Sequence, residues 1–342
     1  MMTVDPTGPV DPDLVEMIDA VFAGYRDTHS AGAALDNQLW TRLDDLGLVR
    51  LTGSEESGGS GAGWYEAAEL LAAAVRHAVR IPLAEHDLLA CWLLQANRMP
   101  VDGAVRTMCL LDDRGMAYDV PWAGAAERIV IVWQAGDGYY VADVAAQSLV
   151  VTPGANLIGE PRDTVSADPV ALAGTPVGAH LVTTLTRKSA LVRAIQVCAA
   201  LDRIVQLSIE HAITRFQFGR PLSKFQAIQH LIADIAAEAA LARAATEAAL
   251  ATAVRSDWSA PNLDFLVAVA RSCAGQACSV VVRNAHQVHG AIGTTREHRL
   301  HEYTRAALAW RSEFGSVHYW DEQVTRAALR AGSAGLWSLI TG

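Results

Sequence analysis

From Lys188 to Leu339 the chain reads as long helices with little else, and that stretch limits the fold more than any other feature. Leu191, Ile195, Cys198, Val205 and Ile209 recur at helical spacing along one face, and Val197, Leu201 and Ile204 make a second stripe. A helix apolar on two faces is normally buried between neighbours. The next piece, about Lys224 to Val254, is so rich in alanine that another helix can approach it closely along its length. A third helix is expected from Asp264 to about His289 and a fourth from about Tyr319 to Leu339. Together they predict a bundle of about four long helices.

The text before this bundle changes register twice. Residues 12–104 carry helical stripes, among them Val15, Ile18, Val21 and Phe22, then Leu39, Trp40, Leu43 and Leu46 closed by Gly47. Two further helices are expected from about Tyr65 to Val79 and from about Leu83 to Ala96. After them come short β-branched or aromatic runs: Val105–Leu111, Arg128–Trp133, Tyr139–Val144 and Ser148–Val151. Val165–Ser166 and His180–Thr184 are read as further strands, and Ala135-Gly136-Asp137-Gly138 as a hairpin turn. The expected fold class is therefore mainly α with a small β domain. Its parts are an N-terminal helical domain (1–104), a small β domain (105–185) and a C-terminal helical bundle (186–342).

Composition excludes several classes. Of 342 residues, 51% are hydrophobic and 19% charged, too apolar for a disordered chain. The net charge of -10, with no run of like charges, argues against a nucleic-acid surface. Five cysteines at irregular spacing (Cys91, Cys109, Cys198, Cys273, Cys278) read as core thiols rather than a disulfide framework. The opening MMTVDPTGPVDPDL is polar and acidic, unlike a secretion signal, and the longest apolar stretches are interrupted by charges. A reducing cytoplasmic setting and no membrane partner are the expectation.

Chemistry concentrates at one helix-to-helix turn, Arg215-Phe216-Gln217-Phe218-Gly219-Arg220-Pro221-Leu222-Ser223-Lys224-Phe225-Gln226. Gly219 and Pro221 make the turn. Arg215 and Arg220 bring planar forks suited to phosphate oxygens, and Phe218 a flat apolar face. Ser223 is read as the cap of the following helix, whose first amides suit an anion. Gln226 can bond a heteroaromatic edge or a hydroxyl. These residue types suit a nucleotide pyrophosphate, and equally a solvated turn with incidental arginines.

The spacing Arg-x-x-Phe-Gly-x-x-Leu-x-x-x-Gln resembles the flavin motif of the acyl-CoA dehydrogenase family. Gln287-Val288-His289-Gly290-Ala291-Ile292-Gly293 is similar to that family's Gln-x-x-Gly-Gly-x-Gly turn, with Ala291 at its second glycine. Leu46-Gly47-Leu48 followed by Glu55-Glu56-Ser57-Gly58-Gly59-Ser60-Gly61 is similar to a signature of its N-terminal domain. The resemblance implies a β-barrel-like middle domain, FAD as cofactor and an acyl-CoA thioester as substrate. It implies oxidation to the 2-enoyl-CoA: a glutamate removes the α-proton while the β-hydrogen leaves as hydride to the flavin. It also implies that Arg215, Phe218 and Gln226 reach a neighbour's pyrophosphate and adenosine. Gln287 and Gly290 would serve the adenine end.

Two segments depart from the family pattern. Its Thr-Glu-Pro-x-Ala-Gly-Ser-Asp and Trp-Ile-Thr/Ser segments, which hold a subunit's own flavin, have no match in 105–185; the nearest text is Val120-Pro121-Trp122-Ala123-Gly124-Ala125-Ala126. The family's base position falls in Trp310-Arg311-Ser312-Glu313-Phe314-Gly315-Ser316, on Glu313 with one deletion and on Phe314 without. Glu313 is the candidate catalytic base, with a solvated loop carboxylate as its alternative, and Ser316 the candidate hydroxyl against the flavin. The family's other base position falls near Ser189, with no acid beside it. Intact trans motifs beside a missing cis segment imply a shared FAD site in a heterotetramer with a homologous acyl-CoA dehydrogenase subunit. A homo-oligomer using Glu313, and a non-catalytic structural or regulatory subunit without flavin, are the alternatives. An electron-transfer flavoprotein is the implied acceptor.

His286, His289, His298 and His301 include pairs spaced i, i+3, but nothing in the local sequence completes a ligand set, so no metal site is expected. Trp310, Trp320 and Trp337 read as packing or interface groups, and Glu55 with Glu56 as a solvated turn. No phosphate-loop signature and no Ser/His/Asp arrangement is found.

Overall fold

The computed structural model describes residues 10–32 and 34–341, so the first nine residues of the opening segment lie outside it. The chain divides into two compact units, Met1–Ser189 and Ala190–Gly342. The division falls inside one long helix.

The first unit begins with helices α1 (Pro12–Thr28) and α2 (Asn37–Asp45). Asp11 caps α1 by accepting from the Asp13 amide, with Pro12 at the first helical position. Asp36 caps α2 by accepting from the Gln38 and Leu39 amides. Gly47, at φ 72°, closes α2, and the Leu48 amide returns to the Leu43 carbonyl at 2.8 Å. That conformation favours glycine and satisfies the last helical carbonyls. Helix α3 (Trp64–Arg76) follows. Next come a π-helical stretch, Ala84–Cys91, with all eight residues buried, and α4 (Trp92–Ala96).

Seven strands follow: β1 (Arg106–Leu110), β2 (Met116–Pro121), β3 (Arg128–Ala135), β4 (Gly138–Ala145), β5 (Val150–Thr152), β6 (Arg162–Ser166) and β7 (Thr175–Val177). They form a four-stranded sheet in the order β1-β3-β4-β7 and a three-stranded sheet β2-β6-β5. β1 and β3 run parallel, and the other pairs are antiparallel. Ile129, Ile131, Trp133 and Ala142 of the first sheet share one core with Ala117, Val120 and Val165 of the second. Burying a side chain such as Ile129 or Ile131 contributes about 1.5–3 kcal/mol relative to leaving it exposed. The β3–β4 hairpin turns at Gly136 (φ 60°) and Asp137, with Ala135 opposite Gly138.

Two of these seven strands escaped the sequence reading. β2 has a register shift between Ala117 and Val120 that breaks its alternation, and β7 is three residues long with Pro176 at its centre. His180–Thr184, expected as a strand, is helical instead. Thr183 and Thr184 bond back through Oγ1 to the carbonyls of Ala179 and His180 (3.0 and 2.9 Å), which lets hydroxyl-bearing β-branched residues sit in a helix.

Helix α5 (Ala179–Thr214) leads into the second unit. A short hairpin, β8 (Phe216–Gln217) and β9 (Arg220–Pro221), joins it to α6 (Gln226–Arg255). Then come α7 (Leu263–His289), α8 (Leu300–Trp310) and α9 (Val317–Thr341), the last kinked at Gly332. α7 packs on both α6 and α9. Buried alanines line the α6 and α7 faces, among them Ala239, Ala242, Ala249, Ala270, Ala274 and Ala277. A methyl group at Gly275 would lie 2.7 Å from Val317 Cγ2, so α7 and α9 meet closely there. Leu263–Thr294 is long and apolar enough to cross a membrane by composition, but 56% of its most apolar window is buried inside the fold, as expected of a core helix.

The cysteines are all free, and only Cys273 is not fully buried. Trp310 and Trp320 are core residues, whereas Trp337 is 74% exposed. The expected class, mainly α with a small β region and a C-terminal helical bundle, is the observed one.

Candidate functional site

The α5–α6 turn is a two-residue hairpin in which Gln217 pairs with Arg220. Its central residues, Phe218 (φ 51°) and Gly219 (φ 77°), both lie in the left-handed region, as a type I′ turn requires. Glycine adopts that conformation freely; for a residue with a side chain it costs roughly 1–2 kcal/mol. Phe218 recovers little of this by burial, because it is 91% exposed. Its ring meets Phe225 edge-on at 6.2 Å, and the Arg220 guanidinium lies over Phe225 at 4.2 Å. Arg215 and Gln226 are also exposed, Gln226 as the first residue of α6. Ser223 does not cap α6. It sits in a single turn, Leu222–Lys224, and Phe225 occupies the cap position without a side-chain bond. The chain's bend at Pro221 places the helix start two residues later than the Ser223 reading assumed.

The second motif sits where α7 ends. Gly290 has φ 62° and ψ -142°, and its amide donates to the His286 carbonyl. Gln287, Gly290 and Ala291 are exposed. A side chain at Gly290 would meet nothing within 4 Å, whereas one at Gly293 would lie 2.7 Å from His289 Cβ. The fold brings the two motifs together: His211, whose carbonyl accepts from the Arg215 amide, stacks on His289 with ring centroids 4.5 Å apart.

The loop holding Glu313 is built differently. Glu313 Oε2 accepts from Arg193 Nε at 2.7 Å, and the two side chains are only 12% and 1% exposed. Phe314 takes a left-handed φ of 53° and lies under the Arg193 guanidinium at 5.0 Å. Arg271 Nη2 donates to the carbonyls of Arg311, Glu313 and Gly315 at 3.1, 2.7 and 3.2 Å. Burial, helped by the Arg193 charge and opposed by Glu313, pulls Arg271 down to about 9. Ser316 is exposed and caps α9, its Oγ accepting from the Tyr319 amide at 3.1 Å. Arg193 and Arg271 were missed in the sequence. Their signal was an arginine falling on the buried stripe of an otherwise apolar helix.

In the first unit, Val120–Ala126 is filled by the chain's own groups. Trp122 is buried at φ 60°, and the Gly124 amide already donates to Asp163 Oδ2 at 2.7 Å. Ser189 is buried and bonds back to Leu185. A buried polar group nearby in the sequence was not foreseen. Lys188 Nζ lies 4.4 Å from the ring centres of both Trp64 and Trp92. Asp87, on the π-helical stretch, accepts from the Thr52 amide and hydroxyl, and burial pushes it up to about 6.

Residues 177–329 match the family model for the acyl-CoA dehydrogenase C-terminal domain. The acyl-CoA dehydrogenase IpdE2 of Mycobacterium tuberculosis is 28% identical over 292 residues, covering 83% of this chain and 85% of that protein. The crystal structure of the ChsE4-ChsE5 complex from Mycobacterium tuberculosis superposes with a TM-score of 0.81. It is 22% identical and covers 97% of this chain and 99% of that one. A Tcur3481-Tcur3483 steroid ACAD G363A variant gives 0.80 at 21% identity, over 94% of this chain and 98% of that one.

Proposed function

We propose that this chain, which belongs to the acyl-CoA dehydrogenase family, is one subunit of an FAD-dependent acyl-CoA dehydrogenase and supplies half of a shared flavin site. The observation that carries the reading is the hairpin: an exposed phenylalanine held in a strained conformation, flanked by exposed arginines. Strain without local return is found where a surface is shaped for something outside the chain. Arg215 and Arg220 would bind pyrophosphate oxygens, Phe218 would lie against an apolar face of the cofactor, and Gln226 would bond its polar edge. Gln287 and Gly290, joined to the hairpin through the His211–His289 stack, would take the adenine end.

The chain's own residues suit the trans half of such a site and do not suit the cis half. At the trans half the candidate side chains stand in solvent. At the cis half Trp122 is buried and the Gly124 amide is already bonded. FAD, when bound, supplies the hydride acceptor for α,β-dehydrogenation of an acyl-CoA thioester. Glu313, in a buried ion pair with Arg193, is poorly placed to remove a proton, so the reading gives the base to the partner. Ser316 Oγ accepts from the Tyr319 amide as a helix cap and keeps its hydroxyl proton to offer a flavin. The partner is a homologous acyl-CoA dehydrogenase chain, in keeping with the ChsE4-ChsE5 complex and the Tcur3481-Tcur3483 pair among the structural relatives. The Tcur3481-Tcur3483 steroid ACAD among the structural relatives makes a bulky acyl-CoA the first substrate to try. An electron-transfer flavoprotein as acceptor, a cytoplasmic setting and the division at 104/105 and 185/186 belong to the same proposal.

The ion-paired Glu313 and the filled turn at Val120–Ala126 also favour a second reading, a structural or regulatory subunit without flavin. Visible absorbance separates the two. The chain purified alone should be colourless, and co-expression with an acyl-CoA dehydrogenase-like partner should give a yellow complex that oxidises acyl-CoA. A yellow, active homo-oligomer would overturn the shared site. A colourless complex with every candidate partner would favour the structural subunit.

A further inference from the structure

The three histidines at the junction of the two motifs form a cluster of their own. His211 comes from the last turn of α5, His289 from the last residue of α7 and His298 from the turn before α8. One ring nitrogen of each lies within 4.8 Å of the other two. His211 and His289 stack at 4.5 Å, and His289 meets His298 at 4.6 Å between ring centroids.

The central histidine is prepared as a ligand. His289 is 4% exposed, and its Nδ1 bonds to the Ala285 carbonyl at 2.8 Å. A carbonyl can only accept, so Nδ1 carries the proton and Nε2 holds a lone pair. That Nε2 is buried and has no hydrogen-bond partner. A buried acceptor left unmatched is uncommon and calls for an explanation. A histidine fixed through Nδ1–H to a backbone carbonyl, with an Nε2 lone pair left unmatched, has the tautomer that metal ligands show.

We propose that His211, His289 and His298 bind a divalent first-row transition metal ion of the zinc class, with the fourth position left to solvent. Three neutral imidazoles with an open position suit Zn²⁺ or Co²⁺ and do not suit the oxygen-seeking Mg²⁺ or Ca²⁺. At metal–nitrogen distances of about 2.0–2.1 Å the ligand atoms of a tetrahedral site stand roughly 3.3 Å apart. Binding requires His211, now stacked on His289 with 23° between the ring planes, and His298, both half-buried, to turn so that their ring nitrogens face one ion beside a fixed His289. His298 Nδ1 now accepts from the Leu300 amide at 3.1 Å, and coordination exchanges that bond for a metal–nitrogen bond. Burial lowers all three imidazoles, His289 to about 4 with help from the neighbouring histidines, which favours the neutral form that binds a metal. Glu210 acts on His298 and Arg215 on His211, charges of opposite sign. The ion would tie the end of α5 to the end of α7, and with them the Arg215 hairpin to the Gln287–Gly290 turn.

The test uses the full chain, in the assembly in which it purifies, stripped of metal and titrated with Co²⁺. The expected result is one equivalent bound per chain, with the intense visible bands of a tetrahedral cobalt centre. His289→Asn should abolish the bands. His211→Asn and His298→Asn, at half-buried positions where folding is retained, should each weaken Co²⁺ binding at least ~100-fold, more than loss of a supporting partner usually does. Near-ultraviolet circular dichroism checks that each variant is folded. Absence of stoichiometric tetrahedral Co²⁺ in the unaltered chain would overturn the proposal, as would bands that survive in both His211→Asn and His298→Asn. None of these readouts depends on flavin or turnover, so the metal site and the shared flavin site fail separately.

Discussion

Helices α5 and α7 carry polar residues both along their length and where they finish, so the bundle has a buried end and an exposed end built in opposite ways. Where they finish, Arg215, Gln226, Gln287 and Gly290 stand in solvent, and Phe218 is held out in a strained turn. Further back, Arg193 and Arg271 are 1% exposed and bind the Glu313 loop from within. Positions 271 and 287 are about 24 Å apart along α7 at 1.5 Å per residue, so the two groups do not serve one small site within this chain. The contrast teaches how to read function here. Polar groups that bind other parts of the chain from within hold the fold, and polar groups standing in solvent are offered to something else.

The largest effect should come from the buried end. Glu313→Gln removes the carboxylate that pairs with the buried Arg193 guanidinium and that favours the charge on Arg271. Breaking a buried ion pair from one side costs about 3–5 kcal/mol. The denaturant midpoint should fall sharply, whatever happens to turnover. A variant of unchanged stability that loses all turnover would reverse the assignment and make Glu313 the base. The pair can be sharpened further. Arg193→Met combined with Glu313→Leu removes both charges, and it should recover much of the stability that Glu313→Gln loses, because matched apolar replacement of a buried pair is often neutral. A double variant less stable than the single one would show that Arg193 has a second duty, such as holding Phe314.

These two ends were not equally legible in the sequence. Arg215, Phe218 and Gln226 lie within one short segment, so residue type and spacing sufficed to mark them. Arg193, Arg271 and Glu313 are far apart in sequence and meet only through packing, and the same holds for His211, His289 and His298. Local pattern read Ser223 as a helix cap and His180–Thr184 as a strand. Both depend on where a helix starts, which chain path at Pro221 and back-bonding by Thr183 and Thr184 decide. The long apolar stripes of the bundle were plain because their period persists over many turns. β7 was invisible because three residues around a proline carry no period at all.

Acid should weaken the exposed end through its one buried member. His289 is lowered to about 4 in the folded chain, against an ordinary value near 6.5. Between those values the unfolded chain binds more protons than the folded one, so stability rises with pH across this window. The stabilisation is complete above pH 6.5 and is lost as pH falls toward 4. Thermal unfolding of the unaltered chain should therefore drop over that range, and His289→Asn should drop less. Equal pH dependence in the two would mean that other buried groups, His86 among them, account for the acid sensitivity.

The smallest expected change in stability carries the most information about the exposed end. Phe218→Gly places two glycines at the centre of a turn that needs left-handed backbone at both positions. It removes the roughly 1–2 kcal/mol that a side chain costs there, set against the greater freedom of glycine in the unfolded chain. The chain should be unchanged or up to about 1 kcal/mol more stable by urea unfolding. If the hairpin is shaped for a partner's cofactor, the same substitution should strip flavin from the co-expressed complex. Better folding with poorer cofactor retention is the pattern left by a residue kept for a contact outside its own chain. Loss of stability with flavin retained would place Phe218 inside the fold's own packing, and the contrast between the two ends would fail at its most exposed residue.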